Sequence, residues 1–443
     1  MPITGSGFHP ELIHHRLKNS EGEIFLLGFS GGGDSLALLC LSADWAQKSG
    51  SAVRPVIIDH ALRPESGEEA RWAAARAKNL GLEPLIVKWT GGKPSAGVQA
   101  AARDFRLKTF ARLARELGAA TVLLGHTLED QAETVWRRIL SGGGWHALAG
   151  MTETAPLPVW PEGRGLTIIR PLLGLRRAAL RSWLEARGET WIDDPTNENT
   201  AFARVRDRLT LSRLESAGFD RRRLCALAAQ LQSRQTTIAK QALRWIETGC
   251  AFHGWGGIRI DSSTSPPVEA MDAMRSAVTG WPASDRPAAQ LLCSALQARQ
   301  AATAGGAALT FFKGIAWLIR DPGAVSGRAD GTASPPARVQ IGTQAVWDGR
   351  FLVHNLSQDI RPLALSGSEI PGAELMTGIP ALARPGLPTV WKASRFEGVA
   401  GLTAQSAEGH WLARELIVRN LFGATGPGAL QIKLRGDLAQ GSH

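Results

Sequence analysis

The pattern of apolar and polar positions in the first half of the chain alternates between two kinds of segment. Short apolar runs, typical of buried strands, are followed by stretches in which apolar residues recur every three or four positions, as in helices. Strands are predicted at 23–29, 53–59, 83–88, 121–125 and 166–169, and helices at 65–80, 96–117, 127–140 and 174–187. This alternation predicts an α/β fold with a doubly wound, mainly parallel sheet, whose ligands bind beyond the carboxyl ends of the strands.

The second half of the chain has a different pattern. Residues 222–248 and two later stretches that reach about residue 300 have helical periodicity. From residue 309 onward strand-like runs dominate, and Asp348-Gly349 is a hairpin signal. We therefore expect three domains: an α/β domain over 1–215, a small helical domain over 216–305 and a C-terminal α+β domain over 306–443.

The first predicted strand runs through three consecutive glycines, residues 31–33, into a helix. The free N–H groups and the positive dipole end of that helix favour an anion, and glycines let a phosphate approach the main chain. Ser30 and Ser35 add two hydroxyl groups. Asp34 stands where a Walker-type loop has lysine, which excludes a kinase or GTPase loop, and an acid beside a phosphate indicates a bridging Mg²⁺. A flexible Ser/Gly connector is the alternative.

Titratable residues follow two other predicted strands. Asp59 and His60 end the second strand, where they can contact an adenosine or simply order a loop. His126 ends the fourth strand, and Asp130 and Glu133 stand three apart on the next helix, so they share a face. Such a cluster can bind Mg²⁺ or receive the ammonium group of an amine substrate, with one member accepting a proton. Acids at a helix start are also favoured by the helix dipole alone.

The chain is basic, with a formal net charge of +10, which favours a polyanionic partner. Thirteen arginines and eight acidic residues lie between Arg164 and Arg223. Nucleic acid binds such clusters by counterion release, although many arginine-rich faces are only solvated. Arg204, Arg206 and Arg208 alternate, so an extended segment would project them to one side, toward a phosphate backbone.

The four cysteines are widely spaced and form no Cys-X-X-Cys pair, so neither a zinc ribbon nor an iron–sulfur site is indicated. The N-terminus has no signal-peptide pattern, and no apolar run approaches the roughly 18 residues of a membrane span. These features predict a cytoplasmic protein with reduced thiols and no membrane partner.

Five motifs occur in the order found in the tRNA(Ile)-lysidine synthases, a family of ATP pyrophosphatases with a PP-loop, and they cover about residues 20–215. They are Ser-Gly-Gly-Gly-Asp-Ser at 30–35, Asp-His-Ala-Leu-Arg at 59–63, Gly-His-Thr-Leu-Glu-Asp-Gln-Ala-Glu-Thr at 125–134, Arg-Pro-Leu-Leu at 170–173 and Asp-Asp-Pro-Thr-Asn at 193–197. Three positions depart from the family pattern: Glu129 replaces Asp, Gly143 replaces Ser, and Val205 replaces the Asn usual between two arginines.

This resemblance implies a Rossmann-like domain that uses ATP and Mg²⁺ to join L-lysine to carbon 2 of the wobble cytidine of an isoleucine tRNA with a CAU anticodon. The reaction would pass through an adenylated tRNA and release AMP and pyrophosphate. The helical and C-terminal domains would bind the tRNA, the latter at its acceptor end.

The same resemblance implies roles for individual residues. Catalytic roles fall on Asp34, Asp130, Glu133, Arg103 and Arg206, with Asp34 and Asp130 as metal ligands. ATP contacts fall on Ser30, Gly31, Gly32, Gly33, Asp34, Ser35, Asp59, His60 and His126. Contacts with tRNA fall on Arg170, Arg176, Arg204, Arg206 and Arg208.

Two other functions remain open at this point. Related ATP pyrophosphatases thiolate a tRNA base, but that chemistry typically uses paired cysteines or a cluster, and the scattered thiols argue against it. The second open function is that of a catalytically silent RNA-binding protein that keeps the nucleotide loop. The presence of Asp34, Asp130 and Glu133 disfavours this function.

Overall fold

The computed structural model describes residues 11, 16–17, 23–193, 203–326, 337–338, 344–354, 359–362, 379–392, 395–399 and 408–422. The chain divides into two compact units, Met1–Gln235 and Thr236–His443. The division into three domains that the sequence pattern suggests stays a prediction.

The first unit is built from alternating strands and helices. Its strands are β1 (Ile24–Gly28), β2 (Ala52–Asp59), β3 (Leu85–Lys88), β4 (Thr121–Leu124), β5 (Thr154–Pro156) and β6 (Thr167–Ile169). Its helices are α1 (Gly33–Ser49), α2 (Ser66–Asn79), α3 (Val98–Leu117), α4 (Leu128–Leu140), α5 (Trp145–Leu148), α6 (Arg177–Ala186) and α7 (Ala203–Ser216). Helix α8 (Arg222–Gly249) contains the boundary between the units.

These strands form one sheet in the order β3-β2-β1-β4-β6-β5. Neighbours are parallel except for β5, which runs antiparallel to β6 at the edge. The chain moves outward from β1 through β2 to β3 and then returns to the other side of β1 to form β4. The carboxyl ends of β1 and β4 therefore flank a topological switch point, where open α/β sheets bind their ligands.

Both faces of this sheet are covered by helices, as the near-continuous apolar sequence of its central strands requires. Phe25 and Leu27 of β1 pack in one cluster with Leu38 of α1. Leu26, which points to the opposite face, packs with Phe110 of α3 in a second cluster. Full burial of such side chains contributes roughly 1.5–3 kcal/mol each, so the two clusters fix the position of the strand ends.

The second unit combines antiparallel sheets with helices. Its helices are α9 (Val268–Thr279), α10 (Arg286–Gln297), α11 (Pro322–Ser326) and α12 (Ala413–Phe422). One sheet has the order β7-β8-β11-β10-β9, from the strands β7 (Cys250–His253), β8 (Gly257–Ile260), β9 (Ala302–Ala304), β10 (Ala307–Phe312) and β11 (Ile315–Arg320).

Two smaller antiparallel sheets complete the second unit. The first has the order β12-β15-β16-β17, from β12 (Ala337–Arg338), β15 (Asp359–Pro362), β16 (Pro388–Lys392) and β17 (Arg395–Val399). The second has the order β13-β14-β18, from β13 (Gln344–Trp347), β14 (Phe351–His354) and β18 (Glu408–Trp411). The hairpin predicted at Asp348-Gly349 is confirmed, because β13 and β14 pair on either side of it and Gly349 has φ +64°.

The structure confirms the α/β class and the predicted parallel strands, and it corrects three details. The segment around Arg204–Arg208 is helical, in α7, and not extended. The edge strand β5 was missed because three residues that include a proline give no periodic signal. Short strands β7, β8 and β9 lie inside the region 216–305 that was expected to be helical. Over the described residues, no helix is long and apolar enough to cross a membrane.

Candidate functional site

A cleft of about 870 Å³ opens at the switch point of the sheet in the first unit. Its walls come from the ends of β1 and β4, the first turns of α1, α4 and α6, and the start of α7. The lining includes these residues, which were predicted from the sequence as site residues: Ser30, Gly32, Gly33, Asp34, Ser35, His60, His126, Asp130, Arg204 and Arg208. The fold thus brings most of the predicted ATP contacts and part of the predicted catalytic set together.

The glycine loop joins β1 to α1 with the geometry of an anion site. Gly31 has φ +85°, a conformation that side chains disfavour, and Gly32 caps α1 without a side-chain hydrogen bond to the helix. The N–H groups of the first helical turn therefore have no intrahelical partner. The hydroxyls of Ser30 and Ser35 lie 3.1 Å apart, and Ser35 donates to the Gly32 carbonyl at 2.9 Å. These hydroxyl hydrogen bonds hold the loop, and the N–H groups of the first helical turn stay available to an anion.

A short segment after α6, Trp191-Ile192, packs against this loop. The Ile192 N–H donates to the Gly31 carbonyl at 3.0 Å. A Cβ at Gly31 would lie 2.8 Å from Ile192 Cδ1, and a Cβ at Gly33 would lie 3.5 Å from the Trp191 ring. The close approach of Ile192 and the positive φ exclude a side chain at Gly31, whereas a Cβ at Gly33 would be in ordinary van der Waals contact with the Trp191 ring. The motif residues Asp194 to Asn197 that follow it lie outside the described residues.

Asp34 presents its two carboxylate oxygens to different surroundings. Oδ2 accepts a hydrogen bond from Arg177 Nε at 2.8 Å. Oδ1 is buried and has no hydrogen-bond partner among the described residues. Burial raises the pKa of Asp34 above its ordinary value, against the opposing effect of Arg177. An unpartnered buried carboxylate oxygen that faces an anion site is a natural position for a cation.

Asp130 and Glu133 share a face of α4, as predicted, and α7 places two arginines on them. Arg204 donates to Asp130 Oδ1 at 2.5 Å and to Glu133 Oε2 at 3.0 Å, and Arg208 donates to Glu133 Oε1 at 3.0 Å. Asp130 Oδ2 also caps α4 by accepting from the N–H and hydroxyl of Thr127 at 2.8 and 2.9 Å. The spacing of four residues between the arginines suits a helix, which is why they converge here.

The ionisation of this cluster follows from its arginines. Burial alone would raise the pKa of Asp130, but Arg204, Arg177 and the Thr127 N–H together hold it below its ordinary value. Burial lowers the pKa of His126 to about 4, so its imidazole is neutral at physiological pH. The Nδ1 atom of His126 is buried and has no partner among the described residues.

Asp59 and His60, at the end of β2, have separate roles. Asp59 Oδ1 accepts the Ala61 N–H at 2.8 Å, which stabilises a turn in which Ala61 has φ +48°. His60 lines the cleft and contacts the stacked rings of Trp89 and Phe105 edge-on. Asp59 therefore orders the loop that carries His60, which is the structural alternative that the sequence left open.

The remaining predicted arginines are dispersed. Arg103 and Arg206 are exposed, and Arg206 lies on a different face of α7 from Arg204 and Arg208 because the segment is helical. Arg176 is paired with Glu215 and Asp220 at 3.2 and 3.4 Å, which neutralises it locally. Arg170 is only 6% exposed, so it does not lie on the surface where a phosphate backbone would contact it. These placements leave the predicted tRNA contacts as predictions.

Sequence reasoning missed Arg177, the first residue of α6. Its Nε contacts Asp34, its Nη2 lies 3.6 Å from Asp130 Oδ1, and its N–H donates to Glu129 Oε2 at 3.0 Å. Glu129 thereby links α4 to α6. No local signal marks Arg177, because only the tertiary fold brings the start of α6 to the glycine loop.

A Mg²⁺ site at this cleft would depend on Asp34 and a bound substrate. The described residues contain no group of three or more His, Cys, Asp or Glu side chains that could hold a metal ion. Asp34 offers the free Oδ1, whereas both oxygens of Asp130 are already engaged. Mg²⁺ prefers one or two carboxylates together with phosphate oxygens and water, so the site fits this ion when a nucleotide is present.

Comparison with known proteins identifies relatives of both the domain and the chain. Residues 10–214 match the model of a PP-loop domain. A protein of Hyphomonas neptunium named tRNA(Ile)-lysidine synthase is 40% identical over 240 residues, which span 54% of this chain and 64% of that protein. A protein of the same name from Caulobacter vibrioides is 34% identical over 385 residues, which span 85% of this chain and 86% of that protein.

Among solved structures, the U34-tRNA thiolase NcsA from Methanococcus maripaludis, with its 4Fe-4S cluster, matches 51% of this chain and 77% of its own. The TM-score is 0.42 and the sequence identity is 16%. Nothing about the chemistry of this chain follows from a similarity of that size.

Proposed function

Because the chain belongs to the tRNA(Ile)-lysidine synthase family, we propose that it joins L-lysine to carbon 2 of the wobble cytidine in the CAU anticodon of an isoleucine tRNA. The reaction uses ATP, which the match to a PP-loop domain supports. The observation that carries the proposal is the single cleft in which the phosphate-binding end of α1 lies beside the Asp130 cluster. We expect the protein to act in the cytoplasm, on tRNA.

The first chemical step follows from the substrate. The oxygen on carbon 2 of cytosine is a poor leaving group, so an amine cannot displace it directly at a useful rate. Transfer of AMP from ATP to this oxygen turns it into a good leaving group and releases pyrophosphate. The N–H groups at the start of α1, with Ser30 and Ser35, would bind the departing pyrophosphate.

Asp34 has two functions in this step. Its free Oδ1, with phosphate oxygens and water, would hold Mg²⁺, which supplies positive charge to the departing pyrophosphate when it is bound. Its Oδ2 holds Arg177 at 2.8 Å, and Arg177 also reaches toward Asp130. Asp34 therefore positions a second positive charge on the same side of the cleft.

The second step requires a free amine. The side-chain amine of lysine has a reference pKa near 10.4 and is almost wholly protonated at neutral pH, so a carboxylate must bind it and accept its proton. Asp130, which lines the cleft, and Glu133, on the same face of α4, are buried carboxylates. Arg204 contacts both, so the amine has to take the place of this half-exposed guanidinium. Attack on carbon 2 then expels AMP.

The thiolating alternative finds no support in the cysteines. The four thiols are free, and burial raises the pKa of Cys40 to about 12 and that of Cys225 to about 11. Thiols with such pKa values are almost entirely protonated at neutral pH and are poor nucleophiles. Sulfur transfer would need a reactive thiolate that neither residue provides.

Mass spectrometry of nucleosides from tRNA that has been treated with enzyme, ATP and lysine tests the proposal directly. Enzyme, ATP and tRNA without lysine should release pyrophosphate and leave AMP attached to the tRNA, and added lysine should release that AMP. Finding AMP attached to lysine would contradict the proposed order, and absence of lysidine with a folded enzyme would contradict the proposed function.

A further inference from the structure

The glycine loop is held both from within and by a distant segment of the chain. Within the loop, the hydroxyls of Ser30 and Ser35 lie 3.1 Å apart, and Ser35 Oγ also accepts the Ser30 N–H at 3.3 Å. From outside the loop, the Ile192 N–H donates to the Gly31 carbonyl at 3.0 Å. The hydrogen bonds of the two serines therefore close the ends of the loop, and Ile192 fixes its middle.

The side chain of Ile192 adds a close contact to this hydrogen bond. Its Cδ1 lies 2.8 Å from the place that a Cβ at Gly31 would take, so it fills the space beside the Gly31 α-carbon. Gly31 has φ +85°, and a glycine can leave this conformation at little cost because it populates positive and negative φ about equally. Ile192, which also lines the cleft, thus holds Gly31 by backbone and by side chain.

The strap formed by Trp191, Ile192 and Asp193 is itself anchored to the fold. Trp191 packs against the apolar cluster that contains the buried residues of α1, and the Arg181 guanidinium lies 5.6 Å from its ring centre. Asp193 Oδ1 accepts a hydrogen bond from Arg181 Nη2 at 3.5 Å, but both side chains are exposed, so this pair contributes little. Trp191 is therefore the main anchor of the strap.

Three consecutive glycines make the loop costly to order. Glycine loses more conformational freedom on ordering than any other residue, and fixing the backbone of one residue shifts an equilibrium by about tenfold. The apparent affinity of a ligand is reduced by the fraction of molecules in which its site is already competent to bind. A contact that orders the loop beforehand removes this cost from binding.

We propose that Ile192 is a positioning residue for ATP cleavage, which acts through Gly31 to hold the N–H groups at the start of α1 in the arrangement that binds the β- and γ-phosphates of ATP. This inference rests on the proposed function, because that function makes these two phosphates the departing pyrophosphate. Ile192 supplies neither charge nor proton, and its part is to make the loop competent before the nucleotide binds.

Ile192→Ala tests this role, with Ile24→Ala as the matched control. Ile24 is also half-buried and stands at the opposite end of β1 from the glycine loop, so its replacement removes the same atoms away from the loop. We expect Ile192→Ala to raise the KM for ATP in pyrophosphate release by about tenfold and to leave kcat nearly unchanged, because saturating ATP orders the loop. Ile24→Ala should leave both values near those of the wild type, and equal values for the two variants would refute the role.

The choice of ligand separates positioning from general damage to the cleft. Binding is measured by calorimetry with AMP, which lacks the two outer phosphates, and with an ATP analogue whose α- and β-phosphates are joined by a methylene group that cannot be cleaved. Ile192→Ala should weaken binding of the analogue by about tenfold and leave binding of AMP unchanged. A merely structural role would weaken both ligands equally or neither, and either result would overturn the inference.

A second variant covers the case in which urea unfolding shows that Ile192→Ala does not fold. Ile192→Val removes only Cδ1, the atom nearest to Gly31, and should give a smaller effect of the same kind. Equality of this variant with the wild type would then refute the role. These binding measurements do not depend on turnover, so a wild type that binds the analogue but forms no lysidine would contradict the proposed function and not this inference.

Discussion

Asp34 combines two environments in one side chain, because one oxygen is fixed by Arg177 and the other is buried and unpartnered. Asp34→Asn keeps the shape but removes the negative charge that a cation and Arg177 require. We expect pyrophosphate release from ATP to fall by about 10²–10³-fold with the fold intact. Asp44→Asn is the control, because Asp44 lies on the same helix and only pairs with Arg187 at the surface.

The products of ATP cleavage test the assignment of the glycine loop as a pyrophosphate site. Residual turnover by Asp34→Asn should still yield AMP and pyrophosphate, since the glycine loop binds the same phosphates. Formation of ADP and phosphate by the wild type would show that the loop does not bind a departing pyrophosphate and would refute the assignment.

His126 links the cleft to the pH dependence of stability. Its pKa is lowered from 6.5 to about 4 in the folded protein, so the unfolded chain binds a proton more readily. This contribution to the free energy of unfolding is complete above pH 6.5 and is lost as the pH falls toward 4, by roughly 3 kcal/mol at most. Urea unfolding at several pH values measures it. His126→Asn should flatten the slope in this range.

Individual residues show which site features a sequence can predict. The roles of Ser35 and Asp130 follow from position, because the carboxyl ends of parallel strands and the helix starts after them meet at one edge. The contacts of Arg177 could not be predicted, because a side chain's partners depend on distant segments. Arg204 and Arg208 were singled out, but as phosphate contacts on an extended segment, and their carboxylate partners on α4 became visible only in the fold.

At the scale of elements, α7 controls the charge of the site through its packing. Leu211 of α7 is fully buried against Ala132 and Val135 of α4, and this contact places Arg204 and Arg208 over the acids. Leu211→Ala should cost about 2–5 kcal/mol of unfolding free energy, measured by urea unfolding, and should lower activity. Leu209→Ala is the control, because Leu209 is 44% exposed and its loss should change stability by less than about 0.5 kcal/mol.

An unchanged stability of Leu211→Ala would mean that α7 is not held by this contact. The example also shows why the sequence misjudged the element. Alternating arginines resemble a strand face, and the weak apolar periodicity of α7 carries no strong helical signal, so tertiary packing on α4 decides the conformation. By contrast, helix α4, whose apolar periodicity is strong, was predicted within one residue of its bounds.

At the scale of the whole molecule, the net charge of +10 should govern tRNA binding. Each phosphate contact adds about 0.7–0.9 to the slope of log affinity against log salt concentration, so affinity should fall steeply between low and physiological salt. Arg206, exposed on α7, is the predicted phosphate contact. Arg206→Ala should reduce the slope by about one such unit in filter-binding titrations. A slope equal to that of the wild type would show that Arg206 contacts no phosphate.

The fold of the first half of the molecule could be predicted from the sequence more fully than that of the second half. In the first half, strands of one kind repeat with helices between them, so local periodicity and global fold agree. In the second half, short antiparallel strands such as β8 and β12 pair with β11 and β15, which are not their sequence neighbours, and two to four residues carry little periodic information. The hairpin at Asp348-Gly349 was predictable because its signal is local, in the turn itself.

The packing of Trp191 on Gly33 gives the protein a built-in optical reporter. The chain has fifteen tryptophans and no tyrosine, so its near-ultraviolet emission comes almost entirely from indole rings. The Trp191 ring lies against the glycine loop, with the Arg181 guanidinium 5.6 Å from its centre. ATP binding should therefore change the intensity or wavelength of this emission, and Trp191→Phe should abolish most of the change. A fluorescence titration would then measure nucleotide binding directly, even in variants that are catalytically inactive.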